Sequence, residues 1–167
     1  MNQSIKIRPE CDDDIYSIEK ITIEAFSGHP HSNQTEHKIV ATLRNDNALS
    51  VSLVAEINDV IVGHIAFSKV KINDEFIGWY GLAPVSVNPE YQNQGVGSQL
   101  ILSGLSAIRE LNAKGCVLLG EPEYYNRFGF KALNELVFKG VPPAYFQSLL
   151  ISGDMPNGNV EYHKAFA

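Results

Sequence analysis

The chain has 167 residues, 44% of them apolar, and a formal net charge of −6. That length and composition suit a single domain, residues 1–167, with a core of its own. The acidic balance disfavours nonspecific binding to nucleic acid or to an anionic membrane surface, and no apolar run is long enough to span a bilayer.

Ile5-Lys6-Ile7-Arg8-Pro9 alternates as a short strand that proline ends. Asp12, Asp13 and Asp14 supply capping and first-turn acids for a helix. Ile15, Ile18, Ile21, Ile23 and Phe26 form its apolar face, and Gly28 ends it. A polar loop at 27–35 holds His29 and His31. A second helix covers 36–44, with Ile39, Val40 and Leu43 facing inward. Strands at 50–57 and 60–70 flank a tight turn at Asn58-Asp59, and a third strand, 78–87, follows the loop at Asn73-Asp74. The longest helix spans 95–112, with Val96, Leu100, Ile101, Leu105 and Ile108 at helical spacing; Gly115 ends it. A buried strand at 116–119 and a short helix at 122–128, ended by Gly129, come next. The remainder is loop-rich, with short strands near 136–139 and 160–164 and a helix over 144–150. The order predicts a mixed α/β fold around one sheet.

Between the third strand and the longest helix stands Val87-Asn88-Pro89-Glu90-Tyr91-Gln92-Asn93-Gln94-Gly95-Val96-Gly97-Ser98. A polar turn that runs straight into a helix presents backbone N–H groups at the helix N-terminus, which suits a phosphate or pyrophosphate. Gly95 and Gly97 let a ligand come close to the backbone. The spacing is not a dinucleotide fingerprint, because Leu100 stands where the third glycine belongs. Nor is it a P-loop, because no lysine follows Gly97. Upstream, Pro84 cannot donate to a ladder and Gly81 weakens regular pairing, so this strand is expected to be bulged or splayed. Val85 and Val87, one residue apart, then point their N–H groups the same way.

Gln-x-x-Gly-x-Gly after a strand ending in Val-x-Pro resembles the acyl-coenzyme A pyrophosphate loop of the GNAT-type N-acetyltransferases. A second motif, Tyr124-Tyr125-Asn126-Arg127-Phe128-Gly129-Phe130, resembles that family's Tyr-x-x-x-Gly-Phe element, with Tyr125 in the tyrosine position. The tail from Gly158 to Phe166 looks like one bacterial subgroup of predicted N-acetyltransferases. The resemblance covers nearly the whole chain. It implies the acyl-CoA N-acyltransferase fold, α/β of the α+β type, with a mixed central sheet of splayed strands flanked by helices. It further implies acetyl-CoA as co-substrate, no metal, and direct transfer of the acetyl group to an amine acceptor in a ternary complex, the acceptor being a small molecule or a peptide.

Residue by residue, the resemblance assigns Val85, Ser86 and Val87 to the pantetheine arm. Gln92, Asn93, Gln94, Gly95, Val96, Gly97 and Ser98 fall to the pyrophosphate. Arg127 is a further candidate for a coenzyme phosphate. Tyr125 is placed to protonate the departing thiolate, with Tyr124 packing beside it. Some family members carry a glutamate in the strand at 78–87, and this strand has no acid or histidine. Glu24 is the candidate base, with His29, His31, His64, Glu75 and Glu121 as substitutes, acting through a water. The missing strand acid keeps open the alternative of a noncatalytic acyl-CoA-binding sensor or module of the same fold. Cys11 and Cys116 show neither disulfide nor metal spacing, and no apolar signal region opens the chain, so reduced thiols in the cytoplasm are expected. The acceptor pocket is expected from 27–35, Asn73-Asp74 and 141–155. The acceptor's identity, and whether the chain forms a homodimer, stay open.

Overall fold

A computed structural model describes residues 4–167; residues 1–3, the start of the stretch expected to lack an apolar signal region, lie outside the described residues. The chain runs β1 (Lys6–Pro9), α1 (Ile15–Phe26), α2 (Glu36–Asn45), β2 (Val51–Ile57), β3 (Val60–Lys69), β4 (Lys71–Ile72) and β5 (Trp79–Val87). It continues with α3 (Val96–Glu110), β6 (Gly115–Leu119), α4 (Pro122–Tyr125), β7 (Leu136–Val137), β8 (Phe146–Leu150) and β9 (Gly158–Glu161). Among the described residues, six strands form one sheet in the order β1-β2-β3-β5-β6-β8. Its pairings are antiparallel except β5 with β6, which is parallel.

Local chemistry explains most of these elements. Asn58 and Asp59 both take positive φ (50° and 64°), as the two-residue hairpin between β2 and β3 requires. Asp14 is buried in front of α1, where its carboxylate accepts the Cys11 N–H (2.8 Å) and a paired bond from Arg8 (2.7 and 2.9 Å). The Arg8 guanidinium holds that carboxyl far below the usual carboxylate range. α3 lies on one face of the sheet, burying Leu100, Ile101, Leu105 and Ile108 with Ile65, Phe67 and Leu82. A Cβ at Gly104 would stand 2.2 Å from Phe67 Cε1, so the glycine lets helix and sheet meet. α1 and α2 cover the other face through Ile18, Val40 and Val54.

Several sequence expectations are corrected. Residues 144–150 are not a helix: Pro143–Tyr145 form a 3-10 turn, and Phe146–Leu150 is β8. The spacings Tyr145/Leu149 and Phe146/Leu150 imitate a helix, but β6 offers an open edge and β8 pairs with it from Gly115↔Leu150 to Leu119↔Phe146. Gly115 does not end α3, which stops at Glu110 before the left-handed Asn112 (φ 64°). Gly115 belongs to β6, where a Cβ would sit 2.4 Å from the Trp79 ring. The stretch 122–128 splits into α4 and a 3-10 turn, Asn126–Phe128. There is also a second sheet, β4-β9-β7, built from two- to four-residue strands over Trp79, Val117 and Phe146.

Candidate functional site

The site begins where β5 leaves β6. The two strands pair only at Trp79↔Gly115, Tyr80↔Cys116 and Gly81↔Val117. Along β3 the pairing runs Ser68↔Gly81, Phe67↔Leu82 and then Ile65↔Val85, so Ala83 and Pro84 together oppose Ala66. This is a bulge, and it changes which face each side chain takes. Tyr80 and Leu82 belong to the core under α3; beyond the bulge it is Val85 and Val87 that pack there.

Backbone direction follows from one bond. The Asn88 N–H donates to the Val62 carbonyl (2.8 Å), flanking the Gly63↔Val87 pair. In an antiparallel ladder, residues of such a pair turn their own N–H and C=O groups away from each other. The Val87 N–H, and that of Val85 two residues back, therefore point off β3 toward the gap. The Val87 carbonyl points there too, and the Gln92 side-chain amide donates to it (3.2 Å).

The loop after β5 supplies the second half. Pro89–Tyr91 form a 3-10 turn that the Asn88 side chain caps by accepting the Glu90 N–H (2.9 Å). Asn93 (φ 63°) and Gly95 (φ 87°) are left-handed, which aims successive N–H groups into one concavity. Gly95 is the N-cap of α3 and has no side chain to satisfy the first-turn donors. Nothing lies within 4 Å of where its Cβ would be. At Gly97 a Cβ would approach the Tyr124 hydroxyl oxygen to 3.3 Å, so this second glycine keeps a floor open beneath Tyr124.

Together these parts wall a cleft of about 590 Å³, lined also by Ala25, Phe26 and His29 around the end of α1 and by Tyr124 and Arg127. Every residue the sequence assigned to the coenzyme lines it except Ser86 and Gln94. Ser86 is buried on the other face of β5, opposite His64. Gln94 turns back to donate to the Glu90 carbonyl (3.3 Å).

The acid–base candidates are spread more widely. Tyr125 lies behind the cleft wall, its ring against Tyr124 (4.9 Å between centroids) and Phe130 (6.3 Å) and over Gly120, where a Cβ would collide with it. Burial, with Tyr124 adding to it, pushes its hydroxyl up to about 12. Tyr124, expected only to pack, lines the cleft, and the Arg127 guanidinium stacks on its ring at 4.5 Å. A Tyr-Tyr dipeptide on a one-turn helix carries no periodic signal of which ring faces the ligand. Glu24 is half-buried on α1 and does not line the cleft; Glu75 and Glu121 are exposed elsewhere. His64 is fully buried, its Nε2 2.7 Å from Ser52 Oγ, its Nδ1 without a partner, and burial pushes its pKa down to about 4. His29 alone of the histidines lines the cleft, with the His31 ring 6.3 Å away.

The three segments expected to share one acceptor pocket go to three cavities. The 27–35 loop gives His29 to the cleft. Asn73 and Asp74 line a second cavity of about 640 Å³ beside β9. Pro143 and Ala144 line a third of about 380 Å³. Cys11 is exposed and Cys116 buried, both free. Among the described residues no group of three His, Cys, Asp or Glu side chains could hold a metal, and no helix is long and apolar enough to cross a membrane.

The acetyltransferase (GNAT) domain family matches residues 48–132. The uncharacterized N-acetyltransferase YhbS of Escherichia coli (strain K12) is 36% identical over 152 residues, 86% of this chain and 90% of its own. The crystal structure of a GNAT family acetyltransferase from Brucella melitensis in complex with acetyl-CoA is 47% identical, with a TM-score of 0.88 over 99% of each chain. The structure of Escherichia coli YhbS in complex with CoA is 31% identical, with a TM-score of 0.90 over 98% of this chain and 92% of that one. The mixed sheet with its parted strands and flanking helices is thus the fold of these acetyltransferases.

Proposed function

The chain belongs to the GNAT acetyltransferases, and we propose that it moves the acetyl group of acetyl-CoA directly to an amine held beside it in a ternary complex. The observation that carries this reading is the continuity of two backbone surfaces: the open N–H groups of Val85 and Val87 lead into the left-handed turn at Asn93 and Gly95. A pantetheine arm, with its two amides, adds to the first as a strand would. The pyrophosphate meets the second at the start of α3, where Ser98 adds a hydroxyl. The Brucella melitensis and Escherichia coli relatives, solved with acetyl-CoA and CoA, support the same occupant here.

Chemistry follows from that pose. The Val85 N–H polarises the thioester carbonyl. The amine nitrogen bonds to that carbon, and the C–S bond breaks with its electron pair on sulfur. Tyr125, a phenol that is protonated at neutral pH and that burial makes harder still to ionise, is the source of the proton that the thiolate takes. The chain acts as one domain, in the cytoplasm, on a small-molecule or peptide amine.

Calorimetry with acetyl-CoA tests the coenzyme half. Gly97→Leu fills the space below the Tyr124 hydroxyl and is expected to weaken binding about 100-fold, some 3 kcal/mol. Retained affinity would sink the loop assignment. Thiol release with a panel of amines tests the transfer: binding without release, whatever the amine, is the result a noncatalytic sensor gives.

A further inference from the structure

From the cleft's composition we infer that His29 is the base that takes the proton from the acceptor amine, an inference that rests on the acetyl-transfer reading above. Of the described residues that line the cleft, none is a carboxylate. The polar side chains there that titrate are His29, Tyr91, Tyr124 and Arg127. A guanidinium does not give up its proton, and phenols are protonated at neutral pH. An imidazole is the side chain that exchanges a proton in that range. His29 is thus the one group in the cleft able to accept a proton from an amine as it attacks.

Its placement suits the role. His29 follows Gly28, whose left-handed φ of 73° turns the chain off the end of α1. Its backbone is held on both sides: its N–H donates to the Phe26 carbonyl (3.0 Å), and its carbonyl accepts the Ser32 N–H (3.1 Å). The ring is exposed and meets Phe26 edge-on at 6.1 Å between centroids. With Ala25 and Phe26 it brings the end of α1 to the cleft that Val85, Val87, Tyr124 and Arg127 also line. The titratable groups beside this loop are His31 within it, its ring 6.3 Å away, and Glu36 at the start of α2, whose carboxylate accepts from the Ser32 hydroxyl (2.7 and 2.8 Å). Glu24 lies on α1 outside the cleft, and His64 is sealed in the sheet.

The step balances. The amine N–H bond breaks toward an imidazole nitrogen of His29 as the N–C bond forms. The sulfur leaves with the C–S pair and takes the Tyr125 proton. Exchange with water returns the imidazolium proton and restores the phenol, leaving an amide and a free thiol.

The test compares His29→Ala and Glu24→Gln with the unaltered chain, following thiol release from saturating acetyl-CoA with ethylamine as the probe acceptor, across pH. His29→Ala is expected to keep its calorimetric affinity for acetyl-CoA, to lose about 100-fold in kcat/KM for the amine, to lose the imidazole limb of the pH profile, and to recover rate when free imidazole is added. A purely structural role would show no imidazole rescue. Unchanged turnover in His29→Ala, a loss that imidazole does not rescue, or disappearance of the limb in Glu24→Gln instead, overturns the assignment to His29 alone. An unaltered chain that binds acetyl-CoA but releases no thiol above the rate in water, with ethylamine or with any other amine of the panel, overturns it together with the transfer it serves.

Discussion

One strand, β5, is two different structures. At Tyr80 and Gly81 it is paired on both sides, with β3 and β6, Trp79 pairs with β6, and Trp79 and Tyr80 are almost wholly buried. From Leu82 to Val87 it is paired with β3 alone, and Val85 and Val87 are half-exposed. A single bulge at Ala83 and Pro84 separates the halves. The first half spends its hydrogen bonds on the sheet; the second keeps N–H groups in reserve on a scaffold the first makes rigid. Stability and recognition are therefore expected to be separable along nine consecutive residues.

The strongest way to break that separation is at Trp79. Its ring fills the space over Gly115, and Trp79→Ala is expected to lower unfolding free energy by about 3–5 kcal/mol in urea titrations while the folded fraction keeps its acetyl-CoA affinity. A large fall in affinity with intact stability would join the two halves again. Tyr125→Phe probes the open end with the opposite signature: turnover is expected to fall about 10- to 100-fold, with unfolding free energy and acetyl-CoA affinity changed little. Undiminished turnover with an unaltered pH profile would remove Tyr125 as the acid.

His64 sharpens the comparison from beneath, since it sits opposite Ser86 in the open half yet belongs to the core. Its pKa falls from 6.5 to about 4 because a charged imidazole loses its hydration there. As pH drops below 6.5 the unfolded chain takes up a proton that the folded chain refuses, so stability is present in full above 6.5 and declines toward pH 4. Between pH 7 and pH 5, mostly above the carboxylate range, the loss is expected to reach about 2 kcal/mol. His64→Asn should flatten that slope; an equal slope in the variant would assign it to another group.

How far this division can be read from sequence follows the same line. Local chemistry announced the open half only in part: Pro84, which has no N–H for a ladder, marks the bulge, and Gly95 takes the left-handed turn that few other residues adopt, whereas Gly81, expected to weaken pairing, is regularly paired on both sides. The closing elements were less legible. β8 takes its form from the β6 edge that it pairs with, and an apolar spacing of four residues reads equally as a helix. The β4-β9-β7 sheet depends on pairings such as Lys71↔Glu161, ninety positions apart, and on strands too short to show alternation. The choice of Tyr124 over Tyr125 as the wall of the cleft is set by Gly120, which gives the second ring its place beneath. The three acceptor segments were grouped because each looked irregular, and irregularity carries no information about which loops meet.

The finest test lies at Gln92. Its amide is exposed and donates to the Val87 carbonyl at 3.2 Å, a long bond that water can replace. Gln92→Ala is therefore expected to leave the melting temperature within about 1 °C, since an exposed hydrogen bond of this kind contributes a few tenths of a kcal/mol. Its effect on acetyl-CoA should be larger, about 3- to 10-fold in Kd, or about 1 kcal/mol. The same bond ties the end of β5 to the phosphate turn, fixing the angle between the two backbone surfaces that one ligand must span. If Gln92→Ala instead changes stability and leaves Kd alone, the bond belongs to the sheet, and the boundary between the two halves of β5 lies beyond Val87 rather than at the bulge.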